Sequence, residues 1–281
     1  MRQSWSKVPL IQPPGGKLQR PISMLSRTLR PRTGVAAHSH DWGQLIYAYS
    51  GVLDVTTPSG HYLVPPSRAV WVPSAMPHEV SSLCGAELSS VYISTLESQS
   101  LGESCYVVEV SNLLRELIIE ALRQPVEYQW HGPAGRMLRT LRDQILIAKQ
   151  VPLHLPLPTD IRLLKLCTEL QRNPASKRSL EQWGEYVGAS SRTLQRLFQK
   201  QTGLSFRGWR QQLRLQVALT KMVSSSDSIT RISADLGYES SSTFIAMFRK
   251  QLGQTPGEYL KLARRNTTQK EDSGAHVALS K

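Results

Sequence analysis

Three cysteines are all that this 281-residue chain holds, at Cys84, Cys105 and Cys167. The number is odd and no two have the spacing of a disulfide or metal pair, so free thiols in a reducing compartment are expected. Long apolar runs are missing too, and no charged start leads into an apolar core. We therefore expect no membrane span, no signal peptide and a cytoplasmic location. Acidic residues are scarce: 21 Asp and Glu face 34 Lys and Arg, a formal net charge of +13. Residues 159–265 hold 18 basic and 8 acidic side chains, a net of +10, which leaves +3 for the remainder. A localised basic excess suits neutralisation of nucleic-acid phosphates. The length suits two domains, each with its own core.

Within the basic segment one pattern occurs twice. The first copy is SLEQWGEYVGASSRTLQRLFQKQTG (179–203), the second ITRISADLGYESSSTFIAMFRKQLG (229–253). Leu180, Trp183, Val187 and Gly188 match Ile229, Ile232, Leu236 and Gly237 at an offset of 49. After one extra residue at the turn, Leu194, Phe198, Lys200 and Gly203 match Phe244, Phe248, Lys250 and Gly253 at an offset of 50. Each copy reads as a short amphipathic helix, a glycine turn and a second helix, the helix-turn-helix arrangement. Ser179 and Gln182 have capping-box spacing, and Ser190 and Ser240 are expected to cap the second helices. With Leu194, Leu197 and Phe198 inward, the first unit leaves Arg192, Thr193, Gln195, Arg196 and Gln199 outside. Arg and Gln bond bidentately to guanine and adenine. The second unit leaves Ser241, Ser242, Thr243, Ile245 and Ala246 outside, with Arg249 and Lys250 further along. Those short groups suit a thymine methyl or a phosphate oxygen, so the first unit is expected to read more bases.

Residues 160–262 resemble the DNA-binding domain of the AraC/XylS family of bacterial transcription regulators. The resemblance is carried by TLQRLFQKQTG and by ISADLGYESSSTFIAMFRKQLGQTPGEY. It implies seven helices, with two reading helices joined by a linker helix at 205–222 and entering successive major-groove segments ~34 Å apart. By position it assigns base contacts to Arg192, Gln195, Arg196, Ser241, Ser242 and Ile245. Thr193 and Arg249 complete the candidate DNA-contact set. Many family members carry Arg where this chain has Ala246.

From Gly34 to about Ile93 short β-rich runs alternate with Pro and Gly turns, as in an antiparallel sandwich or barrel. Inside this stretch HSHDWGQ (38–44) and VPSAMPH (72–78) bring three histidines and an amide. His38 and His40 face one side of a strand, Gln44 follows by four, and His78 arrives from another strand. Three imidazoles and one oxygen either hold Zn²⁺, Ni²⁺ or Fe²⁺ or line a metal-free ligand pocket. The arrangement resembles the cupin family of jelly-roll barrels. Gln44 stands where the cupin motif has Glu, and Ala75 where its second motif has Gly. His38, His40, Gln44 and His78 are expected to line the effector pocket, with Tyr47, Trp71 and Val72 as further walls. His61 reads as a surface residue.

The expected fold class is α+β: a cupin-like jelly-roll barrel, connector helices, and an all-α domain with two helix-turn-helix units. The expected divisions are a flexible arm (1–20), the barrel (21–110), a helical connector or dimerisation region (111–154), a linker (155–160), the DNA-binding domain (161–264) and a disordered tail (265–281). Function follows as a sequence-specific transcription regulator that answers a small-molecule or metal effector. Its expected partners are double-stranded operator DNA, a second copy of the chain and RNA polymerase. No acid/base pair stands beside the histidines, so we expect no enzyme. Two alternatives stay open: a metal-dependent cupin enzyme bearing a DNA-binding tail, and a constitutive DNA binder whose barrel is only a scaffold.

Overall fold

A computed structural model describes residues 5–10 and 17–261. The first half forms two six-stranded sheets. One sheet runs β1 (Ser6–Val8), β3 (Thr33–His38), β8 (His78–Ser82), β5 (Leu53–Thr57), β6 (Gly60–Val64) and β12 (His154–Pro156). The other runs β11 (Gln150–Val151), β10 (Tyr106–Glu109), β7 (Arg68–Val72), β4 (Gly43–Gly51), β9 (Ala86–Ile93) and β2 (Ile22–Leu29). Pairing is antiparallel apart from β1 on β3. Residues of alternate parity pack between the sheets: Val35, Val55 and Val80 from one, Ile46, Ala48, Val70, Val72 and Leu88 from the other.

The second sheet is covered on its outer face as well. After α1 (Thr95–Ser98), helices α2 (Asn112–Ala121) and α3 (Pro133–Leu146) lay Leu114, Ile118, Leu138, Leu141 and Ile145 on Leu45, Tyr47, Ala69, Trp71 and Val91. With apolar cover on both sides, β4 and β7 read as continuous apolar runs rather than alternating ones. Tyr128 ties the α2–α3 connection to β2: its hydroxyl accepts from the Ile22 N–H at 3.0 Å and donates to the Ile22 carbonyl at 2.8 Å.

The second half is helical: α4 (Ile161–Arg172), α5 (Leu180–Val187), α6 (Ser191–Thr202), α7 (Phe206–Ser224), α8 (Ile229–Asp235) and α9 (Ser241–Leu252). A seventh helix begins at residue 256 behind Thr255 and runs to the end of the described residues. The expected linker helix is α7. One apolar cluster joins α4, α5 and α6, whereas α8 and α9 pack on the rear of α7 and continue into the core of the β domain.

Several expected divisions differ from the structure. The arm 1–20 contains β1, which pairs in parallel with β3; a three-residue edge strand has no periodicity to betray it. Residues 1–4 and 11–16 of that arm lie outside the described residues, as does the tail 265–281. The connector 111–154 ends in strand β11 and in His154, the first residue of β12, and these two strands complete the two sheets. Leu155 and Pro156, placed in the linker, belong to β12 and pair with His61 and Gly60 of β6. An edge position tolerates Pro156 because only one side of the strand needs donors. His61 is half-buried rather than on the surface, with Nδ1 3.2 Å from Asp54 Oδ1.

Candidate DNA-reading helices and ligand site

Both helix-turn-helix units are built by the capping chemistry their sequences carry. Ser179 and Gln182 form the reciprocal capping box at the start of α5. Gly188 then ends the helix at φ +72°, in the left-handed region that only glycine occupies without strain. Ser190 accepts from the Thr193 N–H to open α6, and Ser240 accepts from the Thr243 N–H to open α9. Leu194, Leu197 and Phe198 are buried on α6; Phe244, Met247 and Phe248 are buried on α9. Arg192, Gln195 and Arg196 are exposed on α6, and Thr193 is half-buried. On α9 Ser242, Ala246 and Arg249 are exposed, while Ser241 and Ile245 are half-buried. Most of the residues expected to meet DNA thus lie on the side away from the core; Ile245 is the exception, since it packs partly against the core cluster.

The histidine cluster forms where β3 and β8 end side by side, with His38 directly opposite His78 in register. His38, His40 and His78 each bring a ligand-capable ring nitrogen within 4.8 Å of the others. The backbone fixes the tautomers. His38 Nδ1 lies 2.8 Å from the Ala36 carbonyl, His40 Nδ1 2.7 Å from that of Trp42, and His78 Nδ1 2.9 Å from that of Met76. A carbonyl only accepts, so each Nδ1 carries the hydrogen and each neutral ring offers a lone pair at Nε2. His78 is neutral at physiological pH, because burial pushes its pKa down to about 3. Burial also lowers the pKa of His38.

Gln44 Oε1 lies 2.9 Å from His40 Nε2 and 3.2 Å from His78 Nε2, while its amide nitrogen donates to Ser90 Oγ at 2.8 Å. An acceptor therefore faces the lone pairs of two acceptors with no proton between them. Two arrangements resolve this. Turned over, the amide donates both hydrogens to the imidazoles and accepts from the Ser90 hydroxyl. Left as it stands, it joins the lone pairs in a set of four donors of the types that hold divalent cations, with the three carbonyls as outer-shell anchors. Gln44 supplies oxygen without charge, so a bound ion would keep its full positive charge.

A small cleft of about 30 Å³, open to solvent, lies beside His38 and Gln44. Its apolar walls include Leu25, Leu29, Val35, Ile46 and Val80, and its polar groups include Arg27, Ser90 and Tyr92. Tyr47 and Trp71, expected as walls, are instead under α2 and α3 on the other face of the sheet. Leu45 stands opposite Trp71 in register, and both point away from the side that Gln44 and Ile46 share. Val72 has the inward parity. Sequence reasoning overlooked Arg27 and Tyr92. Their signal is period two: Leu25, Arg27 and Leu29 share one face of β2, and Leu88, Ser90 and Tyr92 share one face of β9.

Paired helix-turn-helix units packed on a β sandwich that carries a solvent-open cleft define a DNA-binding protein with a second, ligand-binding domain. The family model described as an AraC-like ligand binding domain matches residues 28–206, and that of a helix-turn-helix domain matches 183–262. The chain belongs to the AraC family of transcription regulators. It is 35% identical over 223 residues to the HTH-type transcriptional regulator NimR of Escherichia coli K12, covering 79% of this chain and 81% of that one. It is 36% identical over 104 residues to the regulator RipA of Corynebacterium glutamicum, covering 37% of this chain and 31% of that one. Among solved structures, ToxT from Vibrio cholerae matches 86% of this chain and 99% of its own, at 12% identity and a TM-score of 0.38. A DNA-binding transcriptional dual regulator from E. coli K-12 matches 39% and 96%, at 28% identity and a TM-score of 0.35. At those TM-scores the overlays bear on neither site. No helix among the described residues is long and apolar enough to cross a membrane.

Proposed function

We propose that this regulator reads its operator mainly through α6 and holds its effector in the cleft beside the histidines. The observation that carries the reading is the capped α6 with Arg192, Gln195 and Arg196 exposed along one side of a buried Leu194–Leu197–Phe198 stripe. Thr193, Ser241, Ser242, Ile245 and Arg249 add positioning contacts to backbone and methyl groups. Arg196→Ala is expected to cost about 1–3 kcal/mol of operator affinity and to relax specificity at one base pair. Equal weakening on operator and random DNA would make Arg196 a phosphate contact instead.

The protein works in the cytoplasm as a homodimer, with RNA polymerase as a further partner. Exposed apolar side chains on and beside the connector helices, Leu113, Leu146 and Ile147, support dimerisation there. Effector binding changes the DNA-binding arrangement by favouring one of two states, a coupling of about 1–3 kcal/mol. We infer no catalysis, since among the described residues the cleft lining holds no carboxylate to pair with His38 as acid or base.

A second reading has its own observation in the facing lone pairs of Gln44, His40 and His78: the effector is, or is held by, a divalent metal such as Zn²⁺, Ni²⁺ or Fe²⁺. Metal analysis of the purified protein beside His78→Ala tests it. One equivalent of metal, lost in the variant, supports a metal-centred sensor. Metal-free protein that binds its operator, even after incubation with each ion, refutes that reading and leaves an organic effector.

A further inference from the structure

The two reading units meet at one junction. Gly237, the turn glycine of the second unit, has φ +75° and lies against Ala175 in the loop between α4 and α5 of the first. A Cβ at Gly237 would sit 2.8 Å from the Ala175 carbonyl oxygen and 3.1 Å from Arg214 Nη2. Arg214 reaches into this junction from α7. Its Nε donates to the Pro174 carbonyl at 2.9 Å, and its guanidinium lies over the ring of Tyr238, 5.2 Å from the centroid. One turn earlier, Arg210 donates to the Ser176 carbonyl. Residues 174, 175 and 176 are thus engaged in succession by Arg214, Gly237 and Arg210.

Both guanidinium groups are half-buried and bond backbone carbonyls; among the described residues neither lies in an ion pair. Taking two like charges partly out of water without a carboxylate is expensive, and a carbonyl returns less than a salt bridge would. What the arrangement gains is geometry. Arg has a rigid, planar group that can bond a carbonyl edge-on while stacking an aromatic ring on its face, which Lys cannot do. Arg214 bonds a carbonyl of the first unit and lies over a ring of the second, so one side chain touches both. Other ties hold the second unit to α7 and to the β-domain core, among them the Lys221–Asp235 ion pair, but Arg214 joins it to the 174–176 loop of the first unit.

We propose that Arg214 is a positioning residue for DNA recognition: it fixes the placement of α9 relative to α6 and so selects the operator spacing. The proposal rests on the reading that both α6 and α9 meet DNA. Arg210 assists by holding the loop that Arg214 bonds.

The test uses the full-length protein. Operators are selected from random DNA with the wild type, then rebuilt with one base pair inserted or deleted between the two protected elements. Wild type is expected to bind the altered spacings at least tenfold more weakly, since each base pair turns the second element by about a tenth of a helical turn. Arg214→Met is expected to lose roughly tenfold on the selected spacing, the worth of one charge-assisted bond. It should lose little on the altered spacings, so that the preference flattens. Arg214→Lys should fall between. Tyr238→Leu leaves the Pro174 bond in place and should flatten the preference less; it carries the test if Arg214→Met does not fold. Variants that keep the wild-type ratio between spacings, with affinity unchanged or uniformly lowered, would overturn the proposal while leaving two-helix reading intact. A wild-type footprint of one element would overturn the two-helix reading, and the proposal with it.

Discussion

Ala75 occupies φ +60° in the turn between β7 and β8, and its N–H donates to the His40 carbonyl at 2.8 Å. The resemblance to cupins expects glycine there, and the backbone angle explains why: a Cβ in the left-handed region crowds the following carbonyl. The turn matters because it ties the loop carrying His40 to the strand that starts at His78. Ala75→Gly should raise stability by about 1 kcal/mol, after subtracting the entropy glycine adds to the unfolded chain. A denaturant midpoint that falls would contradict this account of the turn. The same scale shows what a histidine motif conveys without coordinates. His38, His40, Gln44 and His78 were legible as one cluster, because their spacing and strand parity leave few alternatives. The facing lone pairs were not, since they depend on which carbonyl each Nδ1 meets.

At the scale of elements, helices were more legible than strands. The reading units repeat apolar residues at a period near 3.6, end in glycine and begin at serine, so pattern and capping agree. The second sheet offers no such redundancy. Its strands are apolar on both faces, one toward the first sheet and one toward α2 and α3, and parity must be fixed by a residue of known orientation. Gln44 serves that purpose: Tyr47 is three residues on and faces the opposite way. Trp71 shares that outer layer, and its ring lies over Gly43, where a Cβ would come within 2.1 Å of it. Trp71→Ala should cost about 3–5 kcal/mol of stability through the cavity it leaves, while operator affinity of the folded fraction is unchanged. Lost affinity for effector at unchanged stability would return Trp71 to the cleft. Edge strands β1 and β12, of three residues each, are too short for any period and are held by pairing with distant strands.

At the scale of the molecule, β12 is shared. The Leu153 carbonyl beside it accepts from the Leu63 N–H of the β domain and from Gln216 Nε2 of α7, both at 3.0 Å. The Pro156 carbonyl accepts from the Trp209 indole of the same helix at 2.8 Å. The helix that joins the two reading units is therefore fastened to the edge of the sheet that also bears His38 and His78. On the far side, Tyr259 of the last helix is buried near Arg68 of β7. On the proposed reading, an effector bound in the cleft would act on the reading helices through these contacts, which both domains hold in common.

On the proposed reading this family member reads two DNA elements with different chemistry, base-specific through α6 and positional through α9. Selection of operators from random DNA by the wild type, by Arg192→Ala/Gln195→Ala/Arg196→Ala and by Ser241→Ala/Ser242→Ala tests it most directly. Two elements about one helical turn apart are expected for the wild type. The α6 variant is expected to lose base preference in one element, and the α9 variant to retain nearly all of it. An α6 variant that still selects the wild-type sequence would contradict it.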